Sequence, residues 1–273
     1  MAGFPGPFAA RITKLYYPWA YMRSGGKYYE LQRTWLAAYA RPGPAGAATD
    51  GGCSTVVRTG PNEVTVRDPA LLPALARADK GAWYIVGHHL LSLQLLRDSA
   101  THSIRRRVWD RAMTARRIDE AYLPAVHEHT RLLVDALGRR GGGAAGEADI
   151  SAWLGFYAFD VMGALTYGRS FGMLKNAGGA GSRYFLDMTR GSMRLIGLQA
   201  HVPWTVLLLE GLGLAGRAHA DFNRWCGSIT DERMRRGGDG DIFSVLLDAE
   251  PENVGRHHVP LAGDSRLAII AGR

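Results

Sequence analysis

Apolar and polar positions follow a helical period along most of this chain. Beyond residue 100, apolar side chains recur every three or four positions, which places them on one face of an α-helix. The pattern predicts helices at 104–113, 118–137, a long apolar segment ending near 168, then 184–198, 216–236 and 241–248, with a last apolar run at 267–272. Asp149 or Ser151 is a suitable cap for the apolar segment, and Gly168 is a suitable residue to end it.

A different pattern precedes these helices. Two β-branched runs, 56–59 and 63–66, flank the turn sequence at 60–62, and this arrangement is typical of a β-hairpin. Asp68 and Pro69 then suit the cap and the first position of a helix. The predicted fold class is therefore mainly α, with a small β-hairpin near the N-terminus.

The chain has 273 residues, which suffices for one large domain or two small ones. The segment 40–55 is rich in Gly, Ala and Pro, as expected of a flexible loop. We expect a single domain over residues 1–273, with 40–55 as an insertion-like loop within it.

Composition excludes several classes of protein. With 47% hydrophobic and 21% charged residues, the chain is not a disordered protein. The net charge of +8 suits nucleic acid, anionic lipid or an acidic partner, but the basic residues are scattered, which favours an ordinary basic surface. We expect no nucleic-acid partner. No signal peptide or uninterrupted apolar run of membrane-spanning length is visible in the sequence.

Two cysteines, Cys53 and Cys226, are too few for a disulfide framework, and no zinc spacing accompanies them. A reducing, intracellular compartment is the default for such a chain. Both residues are expected to be structural or free thiols.

One glycine pattern suggests a dinucleotide-binding enzyme. Residues 211–216 match G-x-G-x-x-G, and the apolar run 206–209 before them is a candidate strand. Such a site also needs a second strand to complete the βαβ unit, and the sequence offers none. This alternative is abandoned if 211–216 belongs to a helix or a helix–helix turn.

The most specific stretch is HSIRRRVWDRAMT, residues 102–114. A spacing of four places His102 and Arg106 on one face of a helix. Together they could bind a carboxylate or a phosphate, and the arginine could do so through two hydrogen bonds. The alternative, which composition alone favours, is a solvated basic helix face.

This stretch resembles helix C of the cytochrome P450 superfamily, the haem-thiolate mono-oxygenases, and most closely their fungal members. The family phrase is H-x-x-R-R-x-x-W-x-R-A-F-T, with Met113 here in place of Phe. The resemblance implies that His102 and Arg106 bind the haem propionates. Further phrases of the family follow its order at 57–63, 122–124, 153–171 and 241–247.

Residues 261–272 resemble the opening of helix I, where the family reads A-G-x-D-T, and Ala271 and Gly272 match its first two positions. The resemblance implies that both lie at the haem. The chain given ends at Arg273, ahead of that Asp and Thr and of the loop that supplies the iron's thiolate. We therefore expect an incomplete fold, helices A to the start of I, in a truncated and catalytically incompetent form. No catalytic residue and no metal ligand is predicted within it.

The implied activity is insertion of one oxygen atom into a lipophilic organic substrate, in fungal secondary metabolism. Haem is the implied cofactor, and an NADPH-cytochrome reductase is the implied partner. Substrate contacts are expected at 83–100 and 195–208, and reductase docking at Arg105, Arg107 and Arg111. The family location is the endoplasmic reticulum membrane, or the cytoplasm if an anchor is genuinely missing. The alternative function is a non-catalytic interaction protein that docks a reductase or another partner through its basic face.

Overall fold

The computed structural model describes residues 3–39, 56–81, 84, 91–141, 148–176, 179–199, 202, 204–212, 217–237, 240–249 and 261–271. Within them the chain is mainly α-helical with one two-stranded antiparallel sheet, so the predicted fold class is confirmed. Contacts divide the chain into two compact units, one of 1–86 with 193–215 and one of 87–192 with 216–273. The single-domain expectation stays a prediction, and the loop at 40–55 lies outside the described residues.

The described helices are numbered in chain order. They are α1 (Phe8–Ile12), α2 (Tyr16–Arg23), α3 (Tyr28–Ala38), α4 (Leu72–Leu75), α5 (Ser99–Ala112), α6 (Ala115–Arg117), α7 (Leu123–Gly141), α8 (Ile150–Tyr167), α9 (Ala180–Gln199), α10 (Trp204–Gly211), α11 (Arg217–Arg236), α12 (Ile242–Asp248) and α13 (Leu261–Ala271). A π-helical turn (Ile118–Tyr122) joins α6 to α7.

In the first unit, β1 (Val56–Gly60) and β2 (Glu63–Val66) form the predicted hairpin. Its turn is held by Arg58, whose guanidinium donates to the carbonyls of Gly60 and Pro61. A 3₁₀ turn (Pro69–Leu71) follows, capped as predicted by Asp68, whose carboxylate accepts from the amide of Ala70. An aromatic cluster from α2 and α3 packs beside Val57, which is fully buried.

The second unit is built around α13, which packs against α8, α11 and α12. Large aromatic side chains from α8, α9, α11 and α12 fill its core, and the fully buried ones include Tyr167, Phe159, Phe222 and Phe243. Ile269 of α13 is fully buried among them. A helix that is apolar nearly all round, as α8 is, belongs in such a core.

Two residues of the sequence FDVMG, at 159–163, explain how the chain leaves α8. The Asp160 carboxylate is buried and accepts from the amides of Met173 and Leu174 at 2.9 and 2.8 Å. Gly163 lies so close to the returning chain that a Cβ there would be 2.7 Å from the carbonyl oxygen of Arg169. The aspartate and the glycine thus hold the segment after α8 against the helix.

The caps of α8 agree with the sequence. Asp149 accepts from the amide of Ala152 at its start, and Gly168 ends it in the left-handed conformation with φ of 65°. A buried ion pair joins the end of α11 to the start of α12. Arg233 of α11 donates twice to Asp241, which also caps α12. The carboxylates of Asp149 and Asp241 each satisfy a backbone amide that the start of a helix leaves without a partner.

One segment and one helix end differ from what the sequence suggested. The run 206–209 lies inside helix α10, so the candidate strand of a dinucleotide-binding unit is wrong. Short apolar runs do not distinguish strand from buried helix, and the leucines here are strong helix formers. In addition, α7 continues to Gly141, four residues beyond the predicted end at 137.

The close approach at Gly163 predicts a steric cost. Gly163→Ala is expected to lower the free energy of unfolding by about 1–3 kcal/mol, because the new methyl group meets fixed backbone. Gly227→Ala is the matched control, since Gly227 lies within α11 and a Cβ there meets nothing within 4 Å. That variant is expected to gain about 0.5–1 kcal/mol. Thermal or urea unfolding of the two variants checks this, and equal effects would contradict it.

Candidate functional site

Helix α5 carries the stretch singled out in the sequence. Asp98 caps its first turn, accepting from the amide and the hydroxyl of Thr101 at 2.7 and 2.6 Å. The buried face of the helix consists of Thr101, Arg105, Val108 and Ala112. Their spacing of three and four residues gives α5 one defined inward face.

His102 and Arg106 lie on the neighbouring face, four residues apart, so their predicted juxtaposition on a helix is present in the structure. The Arg106 side chain is 61% exposed and pairs with Asp110 of the same helix, with 2.8 Å between Nε and Oδ1. His102 is half-buried. An exposed pair of this kind contributes little free energy, so the guanidinium remains available to a carboxylate ligand.

Arg105 occupies a different environment from its neighbour. Its side chain is 3% exposed and donates through Nε to Oδ2 of Asp264 at 2.5 Å. Asp264, in α13, is fully buried and accepts two further bonds, from the Trp109 indole at 3.2 Å and the Leu93 amide at 2.7 Å. A buried carboxylate is tolerated when its lone pairs are satisfied in this way.

This burial corrects one sequence-based expectation. Arg105 was expected to form part of a basic docking surface, but a guanidinium enclosed beside Asp264 is not presented to a partner. Arg107 and Arg111 are exposed. The sequence alone could not separate the three because all belong to one basic stretch.

Helix α13 also carries a buried chain of hydroxyl groups. The Tyr167 hydroxyl lies 2.6 Å from the Ser265 hydroxyl, which lies 2.6 Å from that of Thr230. Burial raises the pKa of Tyr167, so the phenol stays protonated at neutral pH. These bonds tie α13 to α8 and α11.

The end of α13 was predicted to contact haem. Ala271 is the last residue of the helix, and Gly272 lies outside the described residues. Their role therefore stays a prediction.

The cysteines differ in what the structure describes. Cys226 is a free thiol, 3% exposed, within the apolar core of the second unit. Burial raises its pKa to about 12, so it is a neutral thiol at physiological pH. Cys53 lies outside the described residues. Among the described residues, no three His, Cys, Asp or Glu side chains converge as a metal site.

Asp264 and the inward role of Arg105 were missed by sequence reasoning. The available signal was an aspartate in the first turn of a mostly apolar helix, where a charge needs a partner. The sequence does not reveal that the partner lies 159 positions earlier.

Comparison with known proteins agrees with the phrases found in the sequence. Residues 86–207 match the family description for cytochrome P450. The chain is 33% identical, over 277 aligned residues, to a cytochrome P450 monooxygenase of Fusarium pseudograminearum, covering 98% of this chain and 46% of that protein. The chain belongs to the cytochrome P450 superfamily.

Other P450 relatives also match most of this chain and about half of their own length. A cytochrome P450 monooxygenase of Eupenicillium brefeldianum is 30% identical, covering all of this chain and 53% of that protein. A tryprostatin B 6-hydroxylase of Neosartorya fischeri is 32% identical, covering 80% of this chain and 40% of that protein. The chain thus spans about half the length of the curated relatives it matches. Within the described residues, no helix combines the length and the hydropathy needed to span a bilayer.

Haem is the cofactor that membership of the P450 family implies, and the described residues fit one part of it. The imidazole and guanidinium on one accessible face of α5 are the donors that two propionate carboxylates require. Cys226 does not fit the iron, because it is enclosed by core side chains and protonated.

The raised pKa of Cys226 predicts a pH dependence. A folded-state pKa of about 12 lies above the ordinary value of 9.0, so the thiol's contribution to stability is complete below pH 9.0 and is lost as pH rises toward 12. Relative to Cys226→Ala, wild-type protein should lose unfolding free energy between pH 8 and pH 11. Parallel pH series of urea unfolding measure this, and two parallel curves would contradict it.

Proposed function

We propose that this chain contributes the propionate-binding and substrate-side part of a haem-dependent mono-oxygenase. The supporting observation is α5, where His102 and Arg106 share an accessible face while the neighbouring face of the helix is held by the core. When bound, the haem supplies the oxygen activation, and the protein supplies position and electrostatics. The proposed substrate is a lipophilic organic molecule, in keeping with fungal relatives such as the tryprostatin B 6-hydroxylase.

In this proposal, Arg106 exchanges Asp110 for a propionate and binds it through two parallel hydrogen bonds, which suits a planar guanidinium. His102, one turn earlier, binds the second carboxylate or a shared one. The Asp98 cap holds the first turn of α5, so the two donors keep a fixed spacing. The residues thereby orient the cofactor and neutralise its charge.

The substrate segments proposed are 83–100 and 195–208. In the first of these, the amide of Leu93 is fixed by Asp264, so the described part of this segment is anchored to α13. A loop anchored at its base can vary elsewhere to suit different substrates.

The proposal predicts that haem affinity depends on charge at α5. His102→Ala is expected to weaken ferric haem binding about tenfold, the effect of losing one charge-assisted hydrogen bond, and Arg106→Ala, which removes two, by at least as much. Absorbance titration of the purified chain measures the Kd, and haem dimethyl ester, which lacks the propionate charges, is the matched ligand.

The ester should bind wild type and variants alike. Arg107→Ala is the control variant, because Arg107 is exposed on another face of α5 and should leave haem affinity unchanged. Equal affinities of wild type and both variants for haem would reject the propionate role.

We also propose that residues 1–273 by themselves are catalytically incompetent. The support is Cys226, whose enclosed thiol is unsuited to iron. A ferrous carbon monoxide complex of the haem-loaded chain should lack the Soret band of thiolate ligation. A thiolate-type band would overturn this, and its loss or persistence in Cys226→Ser would show whether Cys226 supplies the thiolate.

We propose that an NADPH-cytochrome reductase docks on the exposed arginines of α5. Arg107→Glu and Arg111→Glu should each weaken reductase binding, with the loss largest at low ionic strength, because exposed charges act through screened long-range attraction. Surface plasmon resonance across a salt series measures this. Lys27→Glu in the first unit is a charge-matched control, and equal loss in all three would argue against docking at α5.

Reductase binding without any haem spectrum would instead favour the second candidate, a non-catalytic interaction protein with the same basic face. Association with the endoplasmic reticulum membrane is a proposal drawn from the family alone, and fractionation of the source cells tests it.

A further inference from the structure

Three arginines stand in succession on α5, at 105, 106 and 107, yet the structure buries the first and exposes the other two. Successive residues of an α-helix point about 100° apart. A rotation of α5 by one residue about its axis would therefore bring Arg106 to the place of Arg105. Such a rotation would also turn Arg106 away from the accessible face.

The contacts of Asp264 discriminate between these rotations. In the observed one, α5 presents Arg105 and, four residues on, the Trp109 indole, so the carboxylate meets one cation and one neutral donor. With Arg106 inward, the residue four positions on is Asp110, a second carboxylate facing the first. With Arg107 inward, it is Arg111, a second buried cation.

The Leu93 amide adds an independent constraint. It donates to Oδ1 of Asp264, while both donors of α5 reach Oδ2. The amide therefore holds the carboxylate in one orientation, with the second oxygen directed to α5. Burial of Val108 and Ala112 on the inward face favours the same rotation, so the carboxylate adds a polar preference to an apolar one.

We infer that Asp264 is a positioning residue that selects Arg105 from the three arginines, fixes the rotation of α5, and so leaves His102 and Arg106 on the accessible face. A buried ion pair is a weak source of stability, and its best supported use is to specify one arrangement over close alternatives. The consequence for haem rests on the proposed function, whereas the rotation of α5 does not.

The test labels arginines in the haem-free chain with phenylglyoxal and maps the products by peptide mass spectrometry. In wild type, Arg107 should react rapidly and Arg105 should be protected. Asp264→Asn keeps an oxygen acceptor but removes the charge, and labelling of Arg105 should rise toward that of Arg107. Protection of Arg105 equal to wild type in this variant would overturn the inference.

Asp241→Asn is the matched control, because Asp241 forms a second buried pair among the described residues, with Arg233, at 2.8 Å. Labelling of Arg233 should rise in it, while labelling of the α5 arginines stays as in wild type. A rise at Arg105 in this control would show general loosening and count against a specific role for Asp264.

If Asp264→Asn fails to fold, by loss of the helical circular dichroism signal, the neutral pair Arg105→Gln with Asp264→Asn replaces it. The ratio of Arg106 to Arg107 labelling should then depart from wild type, and an unchanged ratio would overturn the inference.

Haem titration of the folded variant gives a separate readout, with a loss of affinity comparable to that of Arg106→Ala. If Arg106→Ala itself leaves haem affinity unchanged, the proposed function fails while the labelling result still decides the role of Asp264.

Discussion

The second unit depends on one buried carboxylate and the three donors that surround it. Asp264 is enclosed in protein, and a buried charge without partners costs several kcal/mol. The folded state therefore requires Arg105, Trp109 and the Leu93 amide to converge on it. This single requirement joins the segment at Leu93, helix α5 and the central helix α13.

Much of the local structure follows from the sequence by simple physical rules. The hairpin, the caps at Asp68 and Asp149 and the left-handed Gly168 all agree with turn and capping chemistry. These features are predictable because each is decided by residues within a few positions of one another. The candidate strand at 206–209 was wrong for the opposite reason, because a short apolar segment takes its conformation from its surroundings.

The candidate site likewise has one part that the sequence predicts and one part that it does not. The spacing of His102 and Arg106 follows from the helical period, so their shared face could be foreseen. The burial of Arg105 could not, because it depends on an aspartate 159 positions away and on the rotation of a whole helix. Composition marks the three arginines as equivalent, and only the packed structure assigns one to the interior. Family resemblance supplied the haem and the reductase, which neither periodicity nor charge could name.

The separation in sequence between Arg105 and Asp264 also has a consequence for synthesis. A ribosome makes α5 early, but its partner on α13 emerges 159 residues later. At typical elongation rates of about 5–20 residues per second, Arg105 of the nascent chain waits roughly ten seconds or more before Asp264 is synthesised. During that interval the cluster of positive charge on α5 is open to chaperones and to the polyanionic ribosome, and the order of translation thereby sets when the helix can adopt its final orientation.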